Sequence, residues 1–440
     1  MTALRHAKKR NSATTVAPRV GLVGLLGQGN LGNDGSLEAM LMYLGAEHSH
    51  AILDFLCTGT DQMTARYGVP ATRLRWYNRQ TQGPASMTAL AARSLKVPLG
   101  MIIDAFRIGT WVRRHDVVIV PGMGVLETSQ PLRAWHFPYS IFLVTAFGRL
   151  FGTKVALVSV GADDIRQPLT RRLVTTAARL AYYRSFRDTF SRDAMRRMGL
   201  DTSGDAVYPD LAFALPIPYD IPVVAGMVGV GVMDYNGSND DRRQADQLHA
   251  SYVENMKSFV LWLVENGRSV RLFTTDVHDE RIMDEVIAYL RARRPLLGPS
   301  QLVAEPISSI DELMRQIASV DTVVASRFHN VLCALMLARP TLSVGYAPKF
   351  EVLMEEAGLA EFCQSAHSVN VDRLIEQFTE LESRSTQLKQ MIMERTAANV
   401  RLLDHQFATL SALLFRSAEP AEVAAGHKRA RPDHFREKLL

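Results

Sequence analysis

The pattern that most constrains the fold is a repeated alternation of short apolar runs with longer segments of helical periodicity. In the first half of the chain the runs are RVGLVGLL, HAILDFLC, DVVIVPG and KVALVSVGA. They are apolar at successive residues rather than at every second one, which is typical of parallel strands covered by helices on both faces. This half of the chain is therefore predicted to form a parallel α/β sheet.

A second series of the same kind follows a segment that carries four prolines between residues 209 and 222. It contains VAGMVGVGVM, RSVRLFTTD, DTVVASR and RPTLSVGY, again separated by helical stretches. Two α/β series of similar size predict two Rossmann-like domains whose parallel sheets face a cleft. The predicted bounds are 19–208 for the N-terminal domain, 209–222 for a linker, 223–370 for the C-terminal domain and 371–417 for C-terminal helices.

The two ends of the chain differ from these domains in composition. Residues 1–19 carry five arginines and lysines and no acid, which equals the formal net charge of +5 of the whole chain. Residues 1–18 are therefore predicted to be a disordered basic arm, and the neutral remainder gives no indication of a nucleic-acid partner. Residues 418–440 are predicted to be a disordered tail.

Cysteine usage and hydropathy indicate the compartment. The three cysteines are scattered and lack paired spacing, which predicts reduced thiols in a cytoplasmic protein. No apolar run follows the basic start as a signal peptide would require. The most apolar stretch, 138–162, is interrupted by Arg149 and Lys154 before it is long enough to span a bilayer. We expect a cytoplasmic protein, with a weak peripheral contact between the basic arm and anionic lipid at the inner membrane face.

The first motif is a glycine turn after the first apolar run, where Gly27, Gly29 and Gly32 spell G-x-G-x-x-G. A dinucleotide turn needs its third glycine in the first helical turn and an acid at the end of the next strand. Here residues 33–36 are capping and turn types, so we expect the helix to begin only at Leu37. The turn is therefore not expected to bind a nicotinamide or flavin, and no cofactor is predicted.

Such a turn can also have no ligand at all, or it can offer backbone N–H groups to a different molecule. In the second case Asn30 and Asn33 would add neutral donors, and Asp34 a candidate acid or base. The strand that ends at Pro121 supplies Gly122 and Gly124 at the same predicted sheet edge, where open α/β folds bind ligands.

Two further segments carry candidate chemistry. Ser191-Arg192-Asp193 is predicted to begin a short helix, where Arg192 is either a bidentate anion ligand or a solvated arginine. Asp276, His278 and Asp279 follow another predicted strand and could line the cleft. Their spacing could also suit a metal, but no further ligands lie nearby in sequence, so no metal site is predicted.

The most informative segment is VDTVVASRFHNVLCALMLARPTLSVGYAPKF, residues 320–350. A strand delivers Arg327 and His329 to the start of an apolar helix, and the next strand ends shortly before Lys349. Because parallel strands end at one edge of their sheet, these side chains are expected to gather there. Two cations and an imidazole suit an anion that carries both a phosphate and a carboxylate.

The segment SRFHNVLCALMLARPTLSVGYAPK resembles the polysaccharide pyruvyl transferase family, with its Arg-x-His turn, Ala-rich helix and Y-x-P-K ending. The segments GNLGND, DVVIVPGMGVL, SRD and VYPDLAF are similar to further family segments in the same order. The resemblance covers about residues 20–355. It implies a fold of the two-domain glycosyltransferase-B type and transfer of the pyruvyl group of phosphoenolpyruvate to a sugar as a ketal.

The resemblance also implies roles for individual residues. Arg192, Arg327 and His329 match positions expected to hold phosphoenolpyruvate, with Lys349 as a weaker candidate, and His329 and Arg327 would also be catalytic. Asp34 is a further catalytic candidate, although the acid of the family stands one residue earlier, where this chain has Asn33. The acceptor, a glycan or lipid-linked sugar, would contact a set of N-terminal residues: Gly29, Asn30, Asn33, Gly122 and Gly124.

Two alternatives stay open at this point. A nucleotide-sugar glycosyltransferase of the same two-domain fold would need an acid for the donor ribose, for which Glu351 or Glu355 is available. A non-catalytic protein that binds a glycan or regulates a partner would explain why Asn33 replaces the acid of the family.

Overall fold

A computed structural model describes residues 17–76, 87–127, 135–237, 241 and 243–415, with the backbone alone for 87–97 and 277. The predicted tail, and the predicted basic arm except for residues 17 and 18, lie outside the described residues.

The first half of the described chain alternates strands and helices. The strands are β1 Arg19–Gly24, β2 Ile52–Cys57, β3 Ala71–Arg73, β4 Val117–Pro121, β5 Lys154–Val160, β6 Tyr183–Phe186 and β7 Ala206–Val207. The helices are α1 Leu31–Glu47, α2 Thr60–Tyr67, α3 Met87–Val112, α4 Phe137–Phe151, α5 Pro168–Leu180 and α6 Thr189–Arg197. The strands pair in parallel in the order β3-β2-β1-β4-β5-β6-β7.

The second half repeats this architecture. The strands are β8 Met227–Gly231, β9 Ser269–Phe273, β10 Leu302–Ala304, β11 Thr322–Ala325, β12 Thr341–Gly345 and β13 Cys363–Ser365. The helices are α7 Ala245–Glu265, α8 Glu280–Arg293, α9 Ile310–Ala318, α10 Phe328–Met336 and α11 Pro348–Glu356. The strands are parallel, in the order β10-β9-β8-β11-β12-β13.

The central strands are buried along their whole length, as their continuous apolar sequences predict. Every residue of β4 (VVIVP) and of β8 (MVGVG) is buried, because helices cover both faces of each sheet. The predicted fold class, two Rossmann-like α/β domains with parallel sheets, is confirmed.

The proline-rich segment between the sheets is more ordered than its composition indicates. Residues Leu211–Ala214 form a 3-10 turn, capped by Asp210, whose carboxylate accepts from the Ala212 N–H at 3.0 Å. Leu211 and Ala212 are fully buried. The segment predicted as a linker therefore includes part of the core.

Two helices, α12 Val371–Ser383 and α13 Ser385–Leu410, complete the described chain, followed by a π-helical turn, Ser411–Phe415. The last of these helices returns to the N-terminal sheet. Buried Gln406 donates from its amide to Ser185 Oγ at 2.8 Å, and Phe407 stacks on Tyr43 at 4.6 Å between ring centroids. Of the helices in the described ranges, none has the length and apolarity needed to cross a bilayer.

Candidate functional site

A buried carboxylate joins one cation from each domain. Glu127 lies shortly after β4, and its two oxygens accept from Arg187 Nη2 at 2.7 Å and from Lys349 Nζ at 3.0 Å. Arg187 follows β6 in the N-terminal sheet, whereas Lys349 lies in the first turn of α11, after β12 of the C-terminal sheet. The loops at the carboxyl edges of the two sheets therefore meet at Glu127.

Burial makes these contacts electrostatically strong. The side chains of Arg187 and Glu127 are 5% and 9% exposed, and that of Lys349 is 15% exposed. Burial by itself would raise the pKa of Glu127, but the charges of Lys349 and Arg187 outweigh it and lower that pKa to about 2. Glu127 is thus a carboxylate at neutral pH and compensates two buried cations.

Glycines make room for this carboxylate. A Cβ added at Gly124 would lie 2.6 Å from Glu127 Oε2, and one added at Gly161 would overlap Glu127 Oε1. Gly122 has a φ of 54°, and its added Cβ would lie 2.7 Å from Ser36 Oγ. Gly122 and Gly124, predicted to contact the acceptor, are therefore already required by the internal packing, and acceptor contact stays a prediction.

His329 extends from the C-terminal domain towards the N-terminal domain. It lies in the first turn of α10, and its Nε2 is 3.9 Å from Asp210 Oδ2. Neither of these two buried atoms has a hydrogen-bond partner among the residues that the structure describes. Arg187 Nη1 lies 3.6 Å from the same Asp210 oxygen, as an ion pair beyond hydrogen-bond distance. A ligand hydroxyl between His329 and Asp210 could donate its proton to either of these two atoms.

The imidazole of His329 is neutral at neutral pH. Burial lowers its pKa, and Arg187 and Lys349 lower it further; together they outweigh the opposite effect of Asp210 and bring the pKa to about 4. A neutral imidazole can accept a proton on an unpartnered nitrogen, which is the usual role of a general base.

The glycine turn differs from the prediction in one respect. Helix α1 begins at Leu31, because Asn30 caps it: the Asn30 side chain accepts from the N–H groups of Gly32 and Asn33 at 3.2 and 3.3 Å. The predicted start at Leu37 was wrong, since the cap and tertiary packing outweigh the low helix propensity of the sequence GNDGS.

The polar side chains of the glycine turn form hydrogen bonds with the backbone of the same turn and of the residues just before it. Asn33 Nδ2 donates to the Leu25 carbonyl at 3.1 Å. Asp34 is 4% exposed and accepts from the Gly27 N–H at 3.3 Å, with Arg66 Nη1 at 3.9 Å. Burial raises the pKa of Asp34. A catalytic role for Asp34 stays a prediction, as do acceptor contacts of Asn30, Asn33 and Gly29, which has a φ of 81°.

Arg327 and His329 are neighbours in sequence but have different partners. The guanidinium of Arg327 donates from Nε and Nη2 to the two oxygens of Asp279, at 2.7 and 2.6 Å. Asp279 is fully buried and also accepts from the Asp234 N–H at 2.8 Å. Arg327 is therefore anchored within the C-terminal domain by one of the acids that the sequence offered as cleft lining.

An Arg–Asp pair does begin helix α6, but one turn earlier than predicted. Asp188 is the N-cap, accepting from the Ser191 N–H at 2.6 Å, and Arg187 precedes it. Arg192, the predicted anion ligand, is 33% exposed at its side chain and lies 3.5 Å from the Asp193 carboxylate. Donor binding by Arg192 stays a prediction. Arg187 is the arginine of the buried cluster, by which we mean Glu127, Arg187, Asp210, His329 and Lys349.

Sequence reasoning missed three residues of this cluster: Glu127, Arg187 and Asp210. Glu127 directly follows DVVIVPGMGVL, Arg187 lies four residues before SRD, and Asp210 lies inside VYPDLAF, three segments singled out in the sequence. A repeated R-D dipeptide at 187–188 and 192–193 was the available signal for Arg187. Nothing in the sequence shows which of the two arginines is buried, because that depends on where the helix begins.

Comparison with known proteins extends this description. A family model described as polysaccharide pyruvyl transferase matches residues 30–348. No protein of curated function matches the chain significantly in sequence. The match of the family model begins at Asn30, within the glycine turn; it includes Glu127, Arg187 and Asp210 and ends one residue before Lys349.

Solved structures share the fold. A glycosyltransferase from Rickettsia africae is 11% identical, with a TM-score of 0.55 over 91% of this chain and 100% of that chain. A UDP-GlcNAc 2-epimerase from Methanocaldococcus jannaschii is 11% identical, with a TM-score of 0.51 over 82% of this chain and 91% of that chain. The lipopolysaccharide outer core galactosyltransferase WaaB is 12% identical, with a TM-score of 0.50 over 90% and 99%. At these identities the likeness establishes the glycosyltransferase-B type of fold.

Proposed function

The chain belongs to the polysaccharide pyruvyl transferase family, and on that premise we propose that it transfers the pyruvyl group of phosphoenolpyruvate to a sugar as a ketal. The acceptor is a sugar of a cell-surface polysaccharide or of its precursor. The observation that carries the proposal is the convergence of Arg187 and Lys349, from opposite domains, on one buried carboxylate beside the neutral His329.

The donor would bind where Glu127 now lies. Phosphoenolpyruvate carries a carboxylate and a phosphate, and a carboxylate between Arg187 and Lys349 is already stable in the buried position of Glu127. The donor would displace Glu127 and take over its two cations, while its other anionic group would reach His329. Arg327 and Arg192 remain proposed donor contacts.

The proposed reaction has two stages at one carbon. One sugar hydroxyl bonds through its oxygen to C2 of phosphoenolpyruvate, and the methylene carbon takes a proton. The C2–O bond to phosphate then breaks, and the second hydroxyl bonds to C2 and releases its proton. No electrons are gained or lost, so the balance requires no redox cofactor, and we propose none.

The residues of the cluster would divide this work. His329 would accept the proton of the attacking hydroxyl and pass a proton to the methylene carbon, with Asp210 stabilising the imidazolium that forms in between. Arg187 and Lys349 would stabilise the negative charge on the departing phosphate. Water must be excluded from the activated carbon, and the burial of all four side chains favours this.

The N-terminal domain would hold the acceptor. The glycine turn with Gly29, Asn30 and Asn33, and the loop with Gly122 and Gly124, follow the carboxyl ends of β1 and β4, next to the proposed donor position. Asp34 is a proposed secondary acid. We propose that the reaction takes place in the cytoplasm, at or near the inner membrane face where a lipid-linked precursor would be available.

The positions of the acids on α11 do not support the alternative of a nucleotide-sugar glycosyltransferase. Glu351 and Glu355, the acids that a donor ribose would need, are exposed in the described structure. The similar glycosyltransferases are 11–12% identical and so speak for the fold alone.

A binding titration separates the candidates. Isothermal titration with phosphoenolpyruvate, UDP-glucose and GDP-mannose is expected to give heat for phosphoenolpyruvate alone, and phosphate release should appear when candidate glycans are added. Binding of a nucleotide sugar alone would support the glycosyltransferase, and binding of none would support a non-catalytic protein. If His329 is the proposed base, the His329→Gln variant should still bind phosphoenolpyruvate but should release no phosphate.

A further inference from the structure

Two long helices of the N-terminal domain lie side by side at the surface. Tyr139 of α4 donates from its hydroxyl to the Met101 carbonyl of α3 at 3.2 Å. Eight residues further along both helices, a Cβ added at Gly109 would lie 3.1 Å from Phe147 Cζ. Because both contacts join residues 38 positions apart, the helices run parallel and in constant register.

The outer surface of this pair is apolar. Leu99, Ile102 and Phe106 are 51%, 69% and 76% exposed, and their spacing of three and four residues places them on one stripe of α3. Leu150 and Phe151 at the end of α4 are 69% and 41% exposed. Large apolar side chains exposed together on one face, rather than singly, mark an interaction surface.

Exposed arginines flank this stripe. Arg113, Arg114 and Arg149 are exposed, and none of them forms an ion pair with any residue that the structure describes. Asp104 is the only acidic residue in the sequence of α3 or α4. It is 8% exposed and paired with Arg107 at 3.2 Å. The exposed Asp116, two residues after Arg114, accepts from the Arg19 N–H at 2.8 Å. Among the described side chains the face is therefore apolar with an excess of positive charge.

We infer that the α3–α4 face, defined by Leu99, Ile102, Phe106, Leu150 and Phe151 with the three arginines, binds an anionic phospholipid surface. Apolar side chains would enter the headgroup region while the arginines pair with lipid phosphates. The residues of this surface are not those of the predicted basic arm, and the inference does not depend on the proposed reaction.

A second copy of the chain is a poorer occupant of this face. An isologous two-fold contact brings the same patch of both copies together, so three exposed arginines of each copy would be brought together with only the exposed Asp116 of each copy near them. Like charges brought together across an interface are unfavourable. A bilayer rich in phosphatidylglycerol supplies the missing negative charge.

Vesicle flotation at low and high salt tests the inference with the full-length protein. Wild-type protein should float with phosphatidylcholine vesicles that contain phosphatidylglycerol, should not float with pure phosphatidylcholine, and should be released by salt. Ile102→Ser/Phe106→Ser is expected to lower the apparent vesicle affinity about tenfold or more. Arg113→Glu/Arg114→Glu, which leaves the apolar stripe intact, should do the same for phosphatidylglycerol vesicles.

Matched variants act as controls. Leu296→Ser removes a side chain that is 96% exposed elsewhere, and Arg291→Glu/Arg293→Glu makes the same charge change on α8. Both should float like wild type. All variants except Arg291→Glu/Arg293→Glu should unfold at the wild-type temperature, because the substituted side chains are exposed. In that control a small loss of stability is expected, because the Arg293 guanidinium lies 3.6 Å from the centroid of the Tyr289 ring.

Three outcomes would overturn the inference. In the first, wild-type protein does not float. In the second, the patch variants float as well as wild type while Lys8→Glu/Lys9→Glu does not, which assigns vesicle binding to the basic arm. In the third, wild type sediments as a dimer that Ile102→Ser/Phe106→Ser dissociates, without any flotation, which assigns the face to a second copy.

Discussion

The imidazole of His329 packs against Gly32, in the space that the Cβ of any other residue would occupy. His329 lies in the first turn of α10 in the C-terminal domain, and Gly32 lies in the first turn of α1 in the N-terminal domain. The missing side chain at one position therefore sets how closely the proposed base approaches the glycine turn. The third glycine of the G-x-G-x-x-G pattern is needed for this contact between domains.

Gly32→Ala is expected to lower kcat/KM for the proposed pyruvyl transfer by about 100-fold, because the added Cβ must displace the imidazole from the position in which we propose that it acts as the base. The matched control is Gly35→Ala in the same helix, where the added Cβ would lie 3.4 Å from Ile310 Cγ1, an ordinary contact. Phosphate release assays and thermal unfolding measure both variants. Equal activities of the two variants would show that the His329 position does not matter.

Glu127→Gln should bind phosphoenolpyruvate at least about threefold more tightly than wild type, because Arg187 and Lys349 lose the counter-charge of Glu127. The same change should destabilise the fold by about 3 kcal/mol, because the buried Lys349 loses the carboxylate with which it pairs, whereas Arg187 keeps Asp188 and Asp210 at 3.4 and 3.6 Å. Titration calorimetry and urea unfolding measure the two effects. Glu254→Gln is the control, because its pair with Lys257 leaves the Glu254 side chain 63% exposed. Weaker binding by a folded Glu127→Gln protein would show that the donor does not replace Glu127.

Arg187→Lys should raise the KM for phosphoenolpyruvate about tenfold, because a lysine keeps the charge but loses the planar pair of donors. Arg192→Lys makes the same chemical change one turn away, on a side chain that is 33% exposed. Its KM should stay within about twofold of wild type if the buried cluster binds the donor. The reverse result would support the sequence-based choice of Arg192.

Protonation of His329 should make the protein less stable in acid. Its ordinary pKa is 6.5 and burial lowers the value to about 4 in the folded protein. Between these values the unfolded state binds more protons, so stability falls as pH drops from about 6.5 to 4 and this contribution then levels off. The loss amounts to about 3 kcal/mol, and His329→Asn should lack it. Urea unfolding of both proteins from pH 7 to 4 measures the difference, and parallel curves would contradict the lowered pKa.

Arg327→Ala is expected to destabilise the fold by about 3 to 5 kcal/mol, because it leaves the fully buried Asp279 without its partner. Arg327→Ala/Asp279→Ala should recover part of this loss. If the double variant is folded and binds phosphoenolpyruvate like wild type, Arg327 is a structural residue and not a donor ligand. Calorimetry with the double variant makes that distinction.

The two-domain architecture could be predicted from the sequence because it depends on local patterns. β4 and β8 are covered on both faces, so every residue is apolar, glycine or proline, and the pattern is visible without any tertiary information. The Arg-x-His turn could be recognised for the same reason, since the strand end and the helix start are adjacent in sequence. The start of α1 was predicted six residues too late. The Asn30 cap is a local signal, but the packing of Gly32 and Gly35 against the other domain, which outweighs the low helix propensity of this segment, is not.

The composition of the site depended on distance in space rather than in sequence. Arg187 and Arg192 have the same local pattern, yet one is 5% exposed at its side chain and the other 33%. Arg327 and His329 are two residues apart, yet one bonds within its own domain and the other reaches across to the glycine turn. Glu127 connects cations that are 162 residues apart in the chain, Arg187 and Lys349.

By itself the sequence determined that the chain forms parallel sheets, that it has two α/β domains and to which family it belongs, because apolar periodicity and motif order can be read along the chain. Only the tertiary structure decided which charged groups are buried together. Burial strengthens electrostatic interactions and excludes water, and it depends on how two separately formed sheets meet. That meeting put Glu127 between two cations and His329 against Gly32, and it gives these residues their lowered pKa values.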